Sequence, residues 1–272
     1  MSESSARATS FPGARGEVSA LLVEATSAPP RAGLLFLHWG FGDRTSFARE
    51  ADAYASAGAT SLLIDAPGFG GRSGPRVGSR DARAVRAYAE QQLGELERAL
   101  DFLCAQPGVD PARIGYVGHS LGATIAPAFL ARAPRVRAAV LMAGTGTLSR
   151  LWLQGRNEEG SRSLEDLDGV RCLSRVSASL LLQFGERDEF ITRADAEAQI
   201  AAASEPKRVC WYDADHALGA PALQDRGRWL AEQLQLAEPA LARVEPLPRA
   251  QVRVSRLVGF VLRIGRWLSP KR

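Results

Sequence analysis

Cysteine and histidine are scarce in this sequence, three of each in 272 residues. Cys104, Cys172 and Cys210 lie 68 and 38 residues apart. An odd count in no paired spacing argues against a secreted disulfide framework and reads as small buried hydrophobes in a reducing compartment. His38, His119 and His216 are equally dispersed; no two share the close spacing of a zinc ligand pair, so no metal site is expected. No apolar run approaches the roughly 18–20 residues of a membrane span. Residues Met1–Gly16 are rich in Ser, Ala, Arg and Gly and lack the apolar stretch of a secretory signal. They are expected to form a flexible leader, and the protein to be cytoplasmic. Acid is absent from one region in particular. Arg249 to Arg272 holds seven basic residues and no Asp or Glu, which against a chain total of +4 leaves −3 for residues 1–248. The main body therefore has no basic surplus with which to hold nucleic acid.

What is present, 46% hydrophobic and 24% charged positions, suits a globular domain with a large core. Glu17–Ala25 and Gly33–His38 read as strands. Asp43 is a plausible N-cap for a helix through Ala57, and Thr60–Ile64 is a further apolar strand. A long helical pattern, Asp81–Ala105, precedes the strand Ile114–Val117. Helix Leu121–Arg132, strands Val136–Met142 and Ser179–Phe184, helix Arg193–Ala203, strand Arg208–Tyr212 and helix Ala220–Leu236 continue the alternation. Near-continuous apolar strands separated by helices predict an α/β fold, a mostly parallel central sheet with helices on both faces. The glycine-rich run Gly68–Gly74 matches neither a dinucleotide fingerprint nor a phosphate loop, and is expected to be a flexible loop near the site. No cofactor is expected.

Gly118-His119-Ser120-Leu121-Gly122 fits the Gly-x-Ser-x-Gly nucleophile elbow, and here it follows an apolar strand and opens a helix, the context that the motif requires. A serine hydroxyl needs a base, and the base an orienting carboxylate. His119, adjacent to Ser120, would project away from it, and His38 precedes the elbow by 82 residues. His216 follows a strand and precedes the last helix, where a loop can bring an imidazole over Ser120. Asp188 also falls at a strand end, with Glu186 and Glu189 as rivals and Asp213 and Asp215 as weaker ones. The oxyanion of a tetrahedral intermediate needs backbone donors. The N–H groups of Leu121 and Gly40 are the candidates, with Trp39 and Phe41 as alternatives to Gly40.

Five ordered blocks carry a resemblance: Leu35–Gly42, Leu63–Gly68, Gly118–Gly122, Leu181–Asp188 and Tyr212–His216. Across Gly33–Leu236 the sequence resembles the α/β-hydrolases, and within them the dienelactone-hydrolase and prolyl-oligopeptidase-like serine hydrolases. The resemblance implies an α/β-hydrolase fold and a Ser120, Asp188, His216 triad in the chain order of that family. Two positions depart: dienelactone hydrolases carry cysteine where Ser120 stands, and the usual His-Gly before the oxyanion turn is His38-Trp39.

The expected activity is that of a carboxylesterase-type serine hydrolase acting on a small-molecule ester. A peptidase, a thioesterase and a non-catalytic scaffold docking through its tail are the rivals. Only 35 residues, 144–178, separate the strands ending near Ala143 and starting at Ser179. That length suits a small flap over an open site walled by Trp39, Phe41 and Trp152, which favours short to medium acyl chains. The hydrolase domain is expected over 17–237, a proline-marked linker over 238–248 and a basic amphipathic helix over 249–272. Its apolar face, within 250–268, suits either an anionic membrane surface or packing against the domain or a second subunit.

Overall fold

The computed structural model describes residues 6–74, 82–148, 160 and 162–246. Trp152 and the basic segment 249–272, with its membrane and dimer expectations, lie outside the described residues. Among the described residues, no helix is long and apolar enough to cross a membrane.

Among the described residues, eight strands form one sheet: β1 (Ala6–Gly13), β2 (Gly16–Val23), β3 (Arg31–Leu37), β4 (Ala59–Ile64), β5 (Val109–His119), β6 (Val136–Met142), β7 (Ser179–Gly185) and β8 (Lys207–Tyr212). Their order is β1-β2-β4-β3-β5-β6-β7-β8. The β1–β2 and β2–β4 pairs are antiparallel, and every pair from β4 to β8 is parallel. The central strands are apolar at almost every position because both faces are covered; all six residues of β4 are buried. The α-helices among the described residues are α1 (Ala48–Ala57), α2 (Ala82–Cys104), α3 (Leu121–Leu130), α4 (Gly169–Cys172), α5 (Arg193–Ala202) and α6 (Gly219–Leu234). Glycines in the central strands show how tightly the layers meet. A Cβ on Gly33 would lie 3.2 Å from Leu103 of α2, and one on Gly115 would lie 2.8 Å from Leu234 of α6. Leu34 pairs with Gly115 and Gly33 with Ile114, so the two glycines face opposite sides of the sheet, one toward each helix layer.

Four expectations from sequence are corrected. The leader is not free over residues 6–13, which form β1, paired with β2 along its whole length. Phe11 is buried and stacks on Phe102 of α2 at 5.4 Å between ring centroids. As an edge strand with one buried side chain, β1 has almost no hydrophobic alternation to read. Asp43 does not cap a helix. Its carboxylate accepts from the Thr45 N–H and hydroxyl at 2.8 and 2.6 Å, making a turn, and α1 begins at Ala48. The segment 238–246 is not a detached linker: Leu241 is buried at the edge of the core, beside Gly227 of α6. The glycine-rich loop is pinned. Arg72 donates two hydrogen bonds to Glu95 at 2.7 and 2.8 Å and one to the Asp65 carbonyl at 2.7 Å, with both carboxylate and guanidinium buried.

Glu50 of α1 and Arg226 of α6 form a second buried pair, bidentate at 2.7 and 2.8 Å. Removing one partner of such a pair strands a charge and costs about 3–5 kcal/mol, whereas replacing both with apolar residues is often near neutral. Arg226→Met should therefore destabilise by about that amount, and Glu50→Leu added to it should recover most of the loss. Urea unfolding of the two variants measures this, and an additive double loss would contradict it.

Candidate active site

The elbow joins β5 to α3. Ser120 sits at φ 53° and ψ −101°, a left-handed conformation that costs a non-glycine residue of order 1–3 kcal/mol and persists only where neighbours impose it. They do so through two hydrogen bonds: Ser120 N–H donates to the Met142 carbonyl and Thr124 N–H to the Ser120 carbonyl, both at 2.8 Å. The flanking glycines are matters of space. A Cβ on Gly118 would lie 2.6 Å from the Gly122 carbonyl carbon, and one on Gly122 would lie 2.3 Å from the Leu37 carbonyl oxygen. Leu121 is the first residue of α3, so its N–H has no intrahelical acceptor.

Asp188 and His216 come from the turns after β7 and β8. His216 Nδ1 and Asp188 Oδ2 are 2.8 Å apart, and both side chains are largely buried. The other Asp188 oxygen accepts the Phe190 and Ile191 N–H groups at 2.8 and 3.0 Å. Burial pushes the Asp188 pKa up, but the His216 imidazole and these N–H groups outweigh it and hold the carboxyl below its ordinary range. The two turns meet closely because Gly185 has no side chain: a Cβ there would lie 2.6 Å from the carbonyl oxygens of Ala214 and Asp215. The rival carboxylates are placed elsewhere. Glu186 is exposed, Asp213 pairs with Arg187 at the surface, and Asp215 accepts the Ala217 N–H in a local turn.

The other two histidines are buried. His119 Nε2 lies 2.7 Å from the His216 main-chain carbonyl. A carbonyl only accepts, so Nε2 carries the proton; Nδ1 is then a bare lone pair with no partner among the described residues. Burial, and after it the His216 imidazole, pushes the His119 pKa down to about 3. His38 Nδ1 lies 2.6 Å from the Trp39 carbonyl, and its Nε2 accepts the Ala66 N–H at 3.0 Å. Burial pushes its pKa down to about 4. Sequence reasoning set both aside and missed that they tie the site together; a histidine inside an apolar strand end, as in Val117-Gly118-His119, was the available signal.

The oxyanion candidates lie in the turn after β3. Gly42 N–H donates to the Trp39 carbonyl at 3.0 Å, so it is already used. Gly40 is half-buried, with open space where a side chain would be. Phe41 stands out at φ 77° and 65% exposure. Trp39 is only 6% exposed and therefore offers almost no wall surface. It packs edge-on against Phe47 and His119, at 5.7 and 5.5 Å. Arg44, whose N–H and guanidinium both bond the buried Asp65 carboxylate, holds the far end of this turn. The insertion between β6 and β7 is fastened as well: Asp168 accepts the Leu148 N–H at 2.7 Å, and Asp166 takes two bonds from Arg86 of α2.

A histidine whose pKa falls on folding binds its proton mainly when unfolded, so its contribution to stability is full above about 6.5 and drains as pH drops toward the folded value. For His38 that window runs from 6.5 down to about 4. Asp168, pushed up to about 6 by burial, works in the opposite sense and gains as pH falls through that value. Since Asp168 is common to both proteins, His38→Gln should show a stability slope shallower than wild type by about 1.4 kcal/mol per pH unit between about pH 6 and pH 5. Urea unfolding at the two pH values measures this, and equal slopes would contradict a neutral, buried His38.

Comparison with known proteins agrees with this architecture. Residues 34–187, more than half of the chain, match the model of the alpha/beta hydrolase fold family. An uncharacterized protein of Mycobacterium tuberculosis strain H37Rv is 30% identical over 189 residues, which is 67% of this chain and 62% of that protein. The chain thus spans under two thirds of that relative's length. An acetyl xylan esterase from Paenibacillus sp. R4 superposes with a TM-score of 0.71 at 24% identity, covering 84% of this chain and 83% of that one. A putative dienelactone hydrolase from Klebsiella pneumoniae subsp. pneumoniae MGH 78578 gives 0.67 at 19% identity, with 85% and 98% covered. At those identities the two structures show the shared fold. On the match to its family model, with the sheet order and the strand-turn-helix at Ser120, the chain belongs to the α/β-hydrolase fold family.

Proposed function

We propose that the protein is a serine hydrolase that cleaves carboxylic esters of short to medium acyl chain through an acyl-enzyme intermediate. The observation that carries this reading is the His216–Asp188 pair, at 2.8 Å, on the same sheet edge as the serine of the elbow. In the reaction, Ser120 Oγ attacks the ester carbonyl and its proton passes to His216 Nε2. Asp188 accepts from Nδ1–H, which fixes the tautomer and steadies the imidazolium. The tetrahedral oxyanion is met by the N–H groups of Leu121 and Gly40. Collapse expels the alcohol, which takes the proton from His216. Water then repeats the sequence on the acyl-enzyme, freeing the acid and Ser120. Proteins with similar folds are described as an esterase, a putative dienelactone hydrolase and a dipeptidyl peptidase, and of these chemistries we assign ester cleavage to this chain. We assign Phe41, exposed in the turn after β3, to the acyl or alcohol group.

Hydrolysis of p-nitrophenyl acetate, butyrate and laurate tests the reading. Ser120→Ala should keep its fold and lose kcat/KM on the order of a thousandfold or more, as should His216→Ala. Acetate and butyrate should be preferred to laurate. An active Ser120→Ala variant would sink the proposal, and a preference for laurate its acyl range.

A further inference from the structure

We propose that His119 is a positioning residue: its Nε2–H, bonded to the main-chain carbonyl of His216, fixes the loop carrying the base against the strand carrying the nucleophile. This inference rests on the serine-hydrolase reading and adds a fourth side chain to it.

The loop over 213–218 needs two kinds of restraint. The bond from His216 Nδ1 to Asp188 sets the tilt of the imidazole, but a bond at the end of a side chain leaves the main chain beneath it free to shift. The loop's main-chain bonds run to itself and to the neighbouring turn: Ala214 N–H to Tyr212, Leu218 N–H to Asp215, and Arg187 N–H to Ala214. They hold the loop to β8 and to the turn after β7, which carries Asp188. Among the described residues, the hydrogen bond that crosses to β5 is donated by His119, at 2.7 Å. Because His119 precedes Ser120 in the chain, the distance from base to nucleophile is set through one residue and one hydrogen bond. Proton transfer depends on such distances, and a misplacement of about 1 Å can cost about a hundredfold in rate.

The ring itself is gripped. Trp39, His119, His216 and Phe190 form a row with successive centroids 5.5, 5.0 and 4.8 Å apart. Trp39 meets His119 edge-on at 78°, which leaves the imidazole little room to turn away from the carbonyl. An apolar residue would serve the core better here, since His119 is 2% exposed and its Nδ1 is left without a partner among the described residues. What the imidazole supplies that leucine cannot is the Nε2–H. Burial keeps the ring neutral, with its pKa down at about 3, so the donor adds no charge beside His216 over the range in which the base must accept a proton.

Two substitutions separate positioning from packing. His119→Leu keeps the bulk and removes the donor; His119→Gln keeps an N–H that can reach the His216 carbonyl. The readouts are kcat and KM on p-nitrophenyl acetate, the rate of phosphonylation by a fluorophosphonate, and the melting temperature. In His119→Leu, kcat and the phosphonylation rate should each fall about 10- to 100-fold with KM within about threefold, and His119→Gln should recover to within about fivefold of wild type. A purely structural role would move the melting temperature and leave both rates alone. Wild-type kcat in a folded His119→Leu protein would overturn the inference, as would a folded His119→Gln that falls more than a hundredfold. Should the leucine variant fail to fold, His119→Asn, whose amide is too short to reach, takes its place with the same expected loss. Failure of the underlying reading looks different, because Ser120→Ala would then match wild type in turnover.

Discussion

The first turn of α3 lies against the end of β3 so closely that a methyl group at Gly122 would come within 2.3 Å of the Leu37 carbonyl oxygen. The approach is held by the Gly122 N–H donating to the His38 carbonyl at 3.2 Å and the buried Tyr116 hydroxyl donating to the Gly122 carbonyl at 2.9 Å. Much of the site depends on this contact. It places the turn after β3, with the Gly40 N–H, beside the helix N-terminus that begins at Leu121. It also fixes the helix relative to β5, and so holds Ser120 in its left-handed conformation. A larger residue at 122 would push β3 and α3 apart, separating the proposed oxyanion donors from one another and from Ser120.

Around that contact, charges and imidazoles are divided by role. Of the three histidines, two are kept neutral by burial and used as hydrogen-bonding struts: His38 between the turn after β3 and Ala66, His119 between β5 and the His216 loop. The third, His216, faces Asp188, whose charge is secured by its own N–H partners. Among the described residues, three pairs of an arginine with a buried carboxylate hold the frame: Arg44–Asp65 at the turn after β3, Arg72–Glu95 under the glycine-rich loop, and Arg226–Glu50 between α6 and α1. All three carboxylates are buried, so each pair stays intact chiefly because a lone buried charge is so costly.

Most of the fold was legible because the central strands and the helices over 82–104, 121–130 and 219–234 carry strong hydrophobic patterns, and a parallel sheet requires such patterns. The pairing of Asp188 with His216 was legible from their place at strand ends. The parts that were not legible share a cause: they depend on contacts with no local signature. Strand β1 is an exposed edge held by backbone bonds and by Phe11 alone in the core. Asp43 has the chemistry of a helix cap but is drawn into a turn, because Arg44 beside it reaches Asp65, 21 residues away. Trp39 is expected in the wall of the site, yet its ring is buried against Phe47 and His119. The apolar strand end around His119 signals a buried imidazole, but its partner, a carbonyl 97 residues away, is visible only in the fold.

The central claim is that Ser120 is a nucleophile activated by the His216–Asp188 pair. The most direct measurement is mass spectrometry of the folded protein after brief exposure to a fluorophosphonate, followed by localisation of the adduct among its peptides. The account predicts one phosphonyl group per chain, on Ser120, formed rapidly in wild type and hardly at all in His216→Ala. An unmodified Ser120, or an adduct formed equally fast without His216, would contradict it.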